Sequence, residues 1–116
     1  MPMKHFKNAQ RMKIPSLSIP EINAYLKDIV SSGDKNKLIT CGLFRMDKGK
    51  SLDYTYSYDE VKIILEGEMT LKDETGKQAT VKPGDVLFFS KGTKINFSSR
   101  SSGLAFYCGQ RREGEL

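Results

Sequence analysis

Between Tyr54 and Lys62 every second residue carries a group able to hold or move a proton: Tyr54, Tyr56, Tyr58, Glu60 and Lys62. Side chains of an extended chain alternate between two faces. These five, with Ile64 beyond them, therefore face the same way wherever the segment stays extended. A carboxylate flanked by phenols can serve in general acid/base catalysis. An ammonium group beside it supplies the partner that a buried carboxylate requires. Such a cluster suits a small polar metabolite bearing a carboxylate, carbonyl or amine. Glu60, Tyr58 and Lys62 are the expected catalytic residues, and Tyr54 and Tyr56 the expected ligand contacts. Three hydroxyls around one carboxylate read as arranged for a ligand, so Glu60→Gln is expected to keep or raise stability. A structural role fits the same residues: strand tyrosines fill space and need one hydrogen bond each, and Lys62 also suits an outward, solvated position. A turn around Ser57–Asp59 would break the alternation before Glu60.

Those residues sit in a chain that reads as strands from Lys37 onward. Short β-branched and aromatic segments recur near Leu38–Met46, Ser51–Tyr56, Val61–Leu65, Met69–Lys72, Gln78–Val81, Val86–Phe89, Lys94–Phe97 and Leu104–Cys108. Turn signals separate them, among them Asp47-Lys48-Gly49, Thr75-Gly76-Lys77, Pro83-Gly84-Asp85 and Lys91-Gly92. This many short strands in one small chain predict an all-β sandwich or barrel. Upstream, residues 1–17 form a polar arm. Ser18-Ile19-Pro20-Glu21 matches a capping box, and Ile22, Tyr25, Leu26, Ile29 and Val30 follow at helical spacing up to Gly33, predicting one short helix. The expected organisation is one domain, with arm and helix in 1–34 and the β-barrel in 35–116.

The chain has 116 residues and a formal net charge of +5. Apart from Arg111-Arg112 the basic residues are dispersed among acidic ones, and no nucleic-acid reading motif accompanies them. No apolar run reaches a membrane span, and the basic N-terminus lacks the apolar stretch of a secretory signal. Neither nucleic acid nor membrane is expected as a partner, and the expected location is cytoplasmic. Cys41 and Cys108 lie in separate apolar segments with no CxxC pattern, so they read as free thiols that the fold could bring together. The single histidine, His5, lies in the arm and offers no partner for a nucleophilic thiol.

Two stretches carry a family resemblance. Glu60, six residues, then Gly67 resembles the end of the first cupin motif. Gly84-Asp85, then Ser90 and Gly92, resembles the second, with Ser90 where proline is usual. The resemblance implies a cupin (RmlC-like) jelly-roll barrel with Glu60 facing its interior and Ile95, Phe97 and Ser99 on the second-motif wall. Cupins usually hold a metal with histidines as well as this glutamate. Here the preceding segment is Asp53-Tyr54-Thr55-Tyr56-Ser57-Tyr58-Asp59, and Ile95 stands at the second-motif histidine position. Phenols and an isoleucine do not replace imidazole around a transition metal, so no metal and no cofactor is expected. The alternatives are a non-catalytic binding or scaffolding module, or an atypical metal site built from Glu60 with Asp53 or Asp59. The tyrosine-rich lead, the Leu65-Glu66-Gly67-Glu68-Met69 strand, Pro83-Gly84-Asp85-Val86-Leu87-Phe88-Phe89 and Phe106-Tyr107-Cys108-Gly109-Gln110-Arg111 are similar to the ethanolamine-utilisation EutQ branch. Bacterial members accompany ethanolamine breakdown, and an acetate kinase activity is ascribed to them. No GxxxxGK[ST] phosphate loop occurs in this chain. Cupins commonly pair, and Ile14-Pro15-Ser16-Leu17 could add a strand to a neighbour's sheet, so a homodimer is expected.

Overall fold

The computed structural model describes residues 2–116. Its strands are β1 (Ala24–Ser31), β2 (Thr40–Asp47), β3 (Leu52–Thr55), β4 (Glu60–Gly67), β5 (Met69–Asp73), β6 (Gln78–Val81), β7 (Val86–Phe89), β8 (Lys94–Ser98) and β9 (Ser102–Gly109). They form a five-stranded sheet in the order β1-β2-β9-β4-β7 and a four-stranded sheet in the order β3-β8-β5-β6. Every pairing between these strands is antiparallel. Eight of the nine strands lie on or within two residues of the segments read from β-branched and aromatic runs.

The ninth is the correction. No helix spans Ser18–Gly33; β1 occupies that stretch and pairs with β2 from Ala24↔Met46 to Ser31↔Thr40. The capping-box residues Ser18 and Glu21 both take left-handed backbone conformations, with φ of 59° and 66°, which a helical turn forbids. The apolar spacing was ambiguous. Leu26 packs on the main core, while Tyr25 and Ile29 pack on a smaller cluster around Leu43 and Leu104. Tyr25 and Leu26 thus bury opposite faces of one strand. The open edge of β2 offers a full ladder of partners, and tertiary pairing overrides weak helical periodicity. The only helical turn among the described residues is a short 3-10 turn, Ala9–Arg11.

The arm departs from expectation as well. Leu17 N–H donates to Ala24 O, and Leu26 N–H to Pro15 O. The stretch read as a strand for a neighbour lies on β1 of its own chain, with Ile14 buried beside Leu43 and Leu104.

The main core lies between the sheets. Phe44, Met46, Ile64, Phe89, Ala105 and Tyr107 of the five-stranded sheet meet Leu52, Met69, Leu71, Val81, Ile95 and Phe97 of the other. Burying a side chain of this kind contributes about 1.5–3 kcal/mol, so this cluster is the main source of stability. At the turns after β4 and β6, Gly67 and Gly84 take φ of 68° and 94°, positions where a side chain would be strained.

Candidate active site

Alternation carries the polar residues inward. Leu52 and Tyr54 on β3, Tyr56 and Tyr58 on the connection, and Glu60 and Lys62 on β4 all line one cavity of about 40 Å³, together with Leu17, Leu26, Phe44, Phe97 and Leu116. The turn at Ser57–Asp59 does not break the phase. Glu60 and Lys62 are both 3 % exposed. Glu60 Oε2 accepts from the Tyr56 hydroxyl at 2.6 Å and from Lys62 Nζ at 2.9 Å. Lys62 is therefore a buried ion-pair partner and not an outward lysine. Tyr54 and Tyr58 hydroxyls hydrogen-bond each other at 2.9 Å.

Aromatic rings close round Lys62 Nζ: Phe44, Tyr107 and Phe97 stand 4.8, 4.9 and 5.7 Å from it by ring centroid. The ring faces favour a cation. Burial acts against one and pulls the Lys62 pKa below its ordinary value, with Glu60 opposing that shift. Tyr56 stacks on Phe89 at 4.8 Å. Burial, reinforced by the Glu60 charge, pushes the Tyr56 phenol far up. Burial likewise raises Tyr58 and Tyr54, so all three phenols are neutral donors at pH 7.

Two expected ligand contacts lie elsewhere. Ile95 is buried in the core but does not line the cavity. Ser99 caps the opposite turn, donating to Glu68 O at 2.9 Å and Glu68 Oε1 at 2.7 Å. The second-motif wall contributes Phe97 alone. Asp53 and Asp59 face away from Glu60: Asp53 accepts from the Asn96 side chain and Asp59 from the Lys91 amide.

The donor set does not suit the metal of histidine-bearing cupins. The one side-chain carboxylate of the cavity is held by an ammonium, and its neighbours are protonated phenols. Among the described residues no three His, Cys, Asp or Glu side chains cluster as a metal set.

Asp28 and Gly42, which carried no signal in the sequence, brace this site together with Tyr107 and Arg111, which entered through the family resemblance. Asp28 on β1 accepts from Tyr107 Oη at 2.5 Å, from Arg111 Nη2 at 2.7 Å and Nη1 at 3.0 Å, and from the Gly114 amide at 2.7 Å. Burial would raise its pKa; the bonds from Arg111, Tyr107 and Gly114 overcome that and hold it at about 2. The network ties residues 111–114 to β1 and fixes the Tyr107 ring beside Lys62. Gly42, opposite Tyr107 in the β2–β9 ladder, leaves the space that Tyr107 fills, since a Cβ there would collide with the Tyr107 hydroxyl and Lys27 O. Spacing alone could not disclose a partnership 83 residues apart in sequence.

Two facing antiparallel sheets around an inward-facing first-motif glutamate define the chain as a cupin. The same architecture occurs in the cupin domain of an XRE-family transcriptional regulator from Enterobacter cloacae, with a TM-score of 0.64 over 78 % of this chain and 98 % of that one at 13 % identity. Residues 2–109 match the family model described as ethanolamine utilisation protein EutQ, and the chain belongs to that family. It is 35 % identical over 77 residues to the acetate kinase EutQ of Escherichia coli, covering 66 % of this chain and 32 % of that protein. The EutQ protein of Clostridium difficile superposes with a TM-score of 0.77 at 22 % identity, over 91 % of this chain and 79 % of that one. The chain spans about a third of the length of its Escherichia coli relative.

Proposed function

We propose that this EutQ-family cupin binds a small polar metabolite in the cavity floored by Glu60 and Lys62, and acts on it by metal-independent acid/base chemistry. The observation that carries the reading is the buried, cavity-lining Glu60–Lys62 pair at 2.9 Å. Exchanging such a pair for apolar residues of similar volume is often neutral or stabilising, so its presence beside an opening argues for use. Glu60 moves the proton, Lys62 and Tyr58 hold the ligand's oxygen, and Tyr56 fixes the carboxylate. A place in ethanolamine utilisation follows from family membership. The cavity of about 40 Å³ is room for roughly three waters, since one water needs about 10–15 Å³. That is the size of acetate or a three-carbon amide and far below a nucleotide. A phosphoryl-transfer role like that in the relatives' name would need nucleotide contacts outside this cavity.

The test is a thermal shift with acetate and with propanamide as separate probes. Saturable stabilisation by either, lost in Glu60→Gln, supports the reading. No shift with either probe up to high millimolar concentration refutes it.

The two sheets are read as a jelly roll, and the expected assembly remains a homodimer. Because Pro15–Leu17 is engaged on its own β1, the contact is proposed through the outer face of β4, β7 and β9. Val61, Val86, Phe88 and Phe106 are exposed there, an apolar row of the kind that marks interfaces. Light scattering showing a monomer at tens of micromolar would overturn the dimer.

A further inference from the structure

The donors and acceptors at Lys62 do not balance. An ammonium group carries three N–H donors. Among the described residues, Glu60 Oε2 is the single side-chain acceptor it meets, and three aromatic rings surround the rest. An iminium nitrogen is also a cation but carries one N–H. The same site therefore satisfies an iminium fully and an ammonium only in part.

We propose that Lys62 is a covalent amine, condensing with an aldehyde or ketone of two or three carbons held in the cavity. The inference rests on the reading of the cavity as a small-metabolite site and narrows the ligand to a carbonyl compound. Lys62 lines that cavity, and Glu60 lies at hydrogen-bond distance to Nζ to carry its protons. The ammonium first passes a proton to Glu60. The neutral nitrogen then attacks the carbonyl carbon, forming the C–N bond while the C=O π pair moves to oxygen. That oxygen takes the proton back from Glu60. Glu60 next removes a proton from nitrogen and returns it to the hydroxyl. Water leaves with the C–O pair, and the nitrogen lone pair closes the C=N bond. The sum is ammonium plus carbonyl giving iminium plus water, with Glu60 restored as carboxylate. Desolvation in an apolar pocket is what activates a lysine amine for this reaction, and Lys62 is buried among three aromatic rings. The ring faces that stabilise the ammonium also stabilise the iminium, so no cationic stabilisation is lost on condensation.

The experiment treats the full chain with propanal and cyanoborohydride at pH 7 and maps the alkylated peptides. Modification at Lys62 at least about tenfold faster than at any surface lysine, a barrier difference of about 1.4 kcal/mol, supports the proposal. Glu60→Gln should slow it by a similar factor, with circular dichroism verifying that the variant is folded. Preincubation with propanamide, which occupies the cavity without condensing, should protect Lys62. Benzaldehyde, too large for the cavity, should leave Lys62 untouched. Alkylation confined to surface lysines while propanamide still stabilises the protein overturns the covalent role and leaves the binding site standing. Failure of acetate and of propanamide to stabilise, together with failure of propanal to modify Lys62, overturns both readings.

Discussion

Replacing Glu60 by Gln tests what the buried pair contributes. The side chain keeps its shape, and its oxygen can still accept from Tyr56. Lys62 loses its counter-ion in a site where both residues are 3 % exposed. Breaking a buried pair by removing one partner costs about 3–5 kcal/mol. Lys62 can limit the loss by releasing its proton; from its ordinary pKa of 10.5 that costs at most about 4.8 kcal/mol at pH 7. Some hydrogen bonding to the amide remains, so the expected loss is about 3 kcal/mol, a melting-temperature drop of about 12 °C for a domain of this size. The expectation drawn from the sequence, of stability kept or gained, is thereby reversed. It assumed a poorly paired carboxylate, whereas Glu60 accepts from both Tyr56 and Lys62. The pH dependence gives a second readout. Burial holds Lys62 below its unfolded pKa, so between the folded and unfolded values the unfolded chain binds more protons and stability rises with pH. Removing Glu60 extends that window downward. The deficit of the variant should shrink between pH 7 and 9, by up to about 1.4 kcal/mol per pH unit. Urea denaturation at several pH values measures it. The double variant Glu60→Gln/Lys62→Met should recover most of the loss. A melting temperature unchanged or raised in Glu60→Gln, with no pH dependence of the difference, refutes the reasoning.

Other consequences are measurable in the same way. Asp28→Asn should cost about 2 kcal/mol, because charged hydrogen bonds from Arg111 and Tyr107 are lost. In the native protein the Asp28 contribution is present above pH 4 and is lost as pH falls toward its folded value of about 2; acid titration followed by circular dichroism reads this. Gly42→Ala should cost about 2 kcal/mol by displacing Tyr107, with Tyr107 fluorescence or ring resonances moving as stability falls. Cys41 and Cys108 face each other across β2 and β9. Burial, with Cys41 beside it, pushes the Cys108 thiol up to about 11. Iodoacetamide at pH 8 should therefore modify Cys108 far more slowly than a free thiol, and rapid alkylation in the folded state would contradict the placement.

Legibility in the sequence followed physical range. Strand boundaries were readable because each strand carries its own β-branched or aromatic run and its own turn residues. The polar stripe from Tyr54 to Lys62 was readable because a period of two is geometric and survives the bend at Ser57–Asp59. β1 was not readable: its two half-buried faces place apolar residues at Tyr25, Leu26, Ile29 and Val30, which with Ile22 just before them make a spacing that also fits a helix. Only the unpaired edge of β2 decides between the two. Ser99 was misplaced because parity was carried along β8 past its end at Ser98, into a turn that Glu68 organises through the Ser99, Arg100 and Ser101 groups. Ile95 keeps the parity but sits against the core, short of the cavity.

The contacts invisible in sequence are those that hold the chemistry in place. Lys62 owes its surroundings to Tyr107, whose ring stands 4.9 Å from Nζ. Tyr107 owes its position to two features on other strands: the missing side chain at Gly42 and the carboxylate of Asp28. Asp28 in turn is held by Arg111 and the Gly114 amide. β1 and residues 111–114 are thus joined through one carboxylate to the ring that stands beside Lys62. Loosening that carboxylate should therefore change the environment of Lys62 as well as global stability. Asp28→Asn ought to alter the rate at which propanal modifies Lys62 under conditions where the variant is fully folded. Equal labelling rates in the two folded proteins would mean that Tyr107 keeps its place without Asp28, and that the network stabilises the chain without positioning the amine.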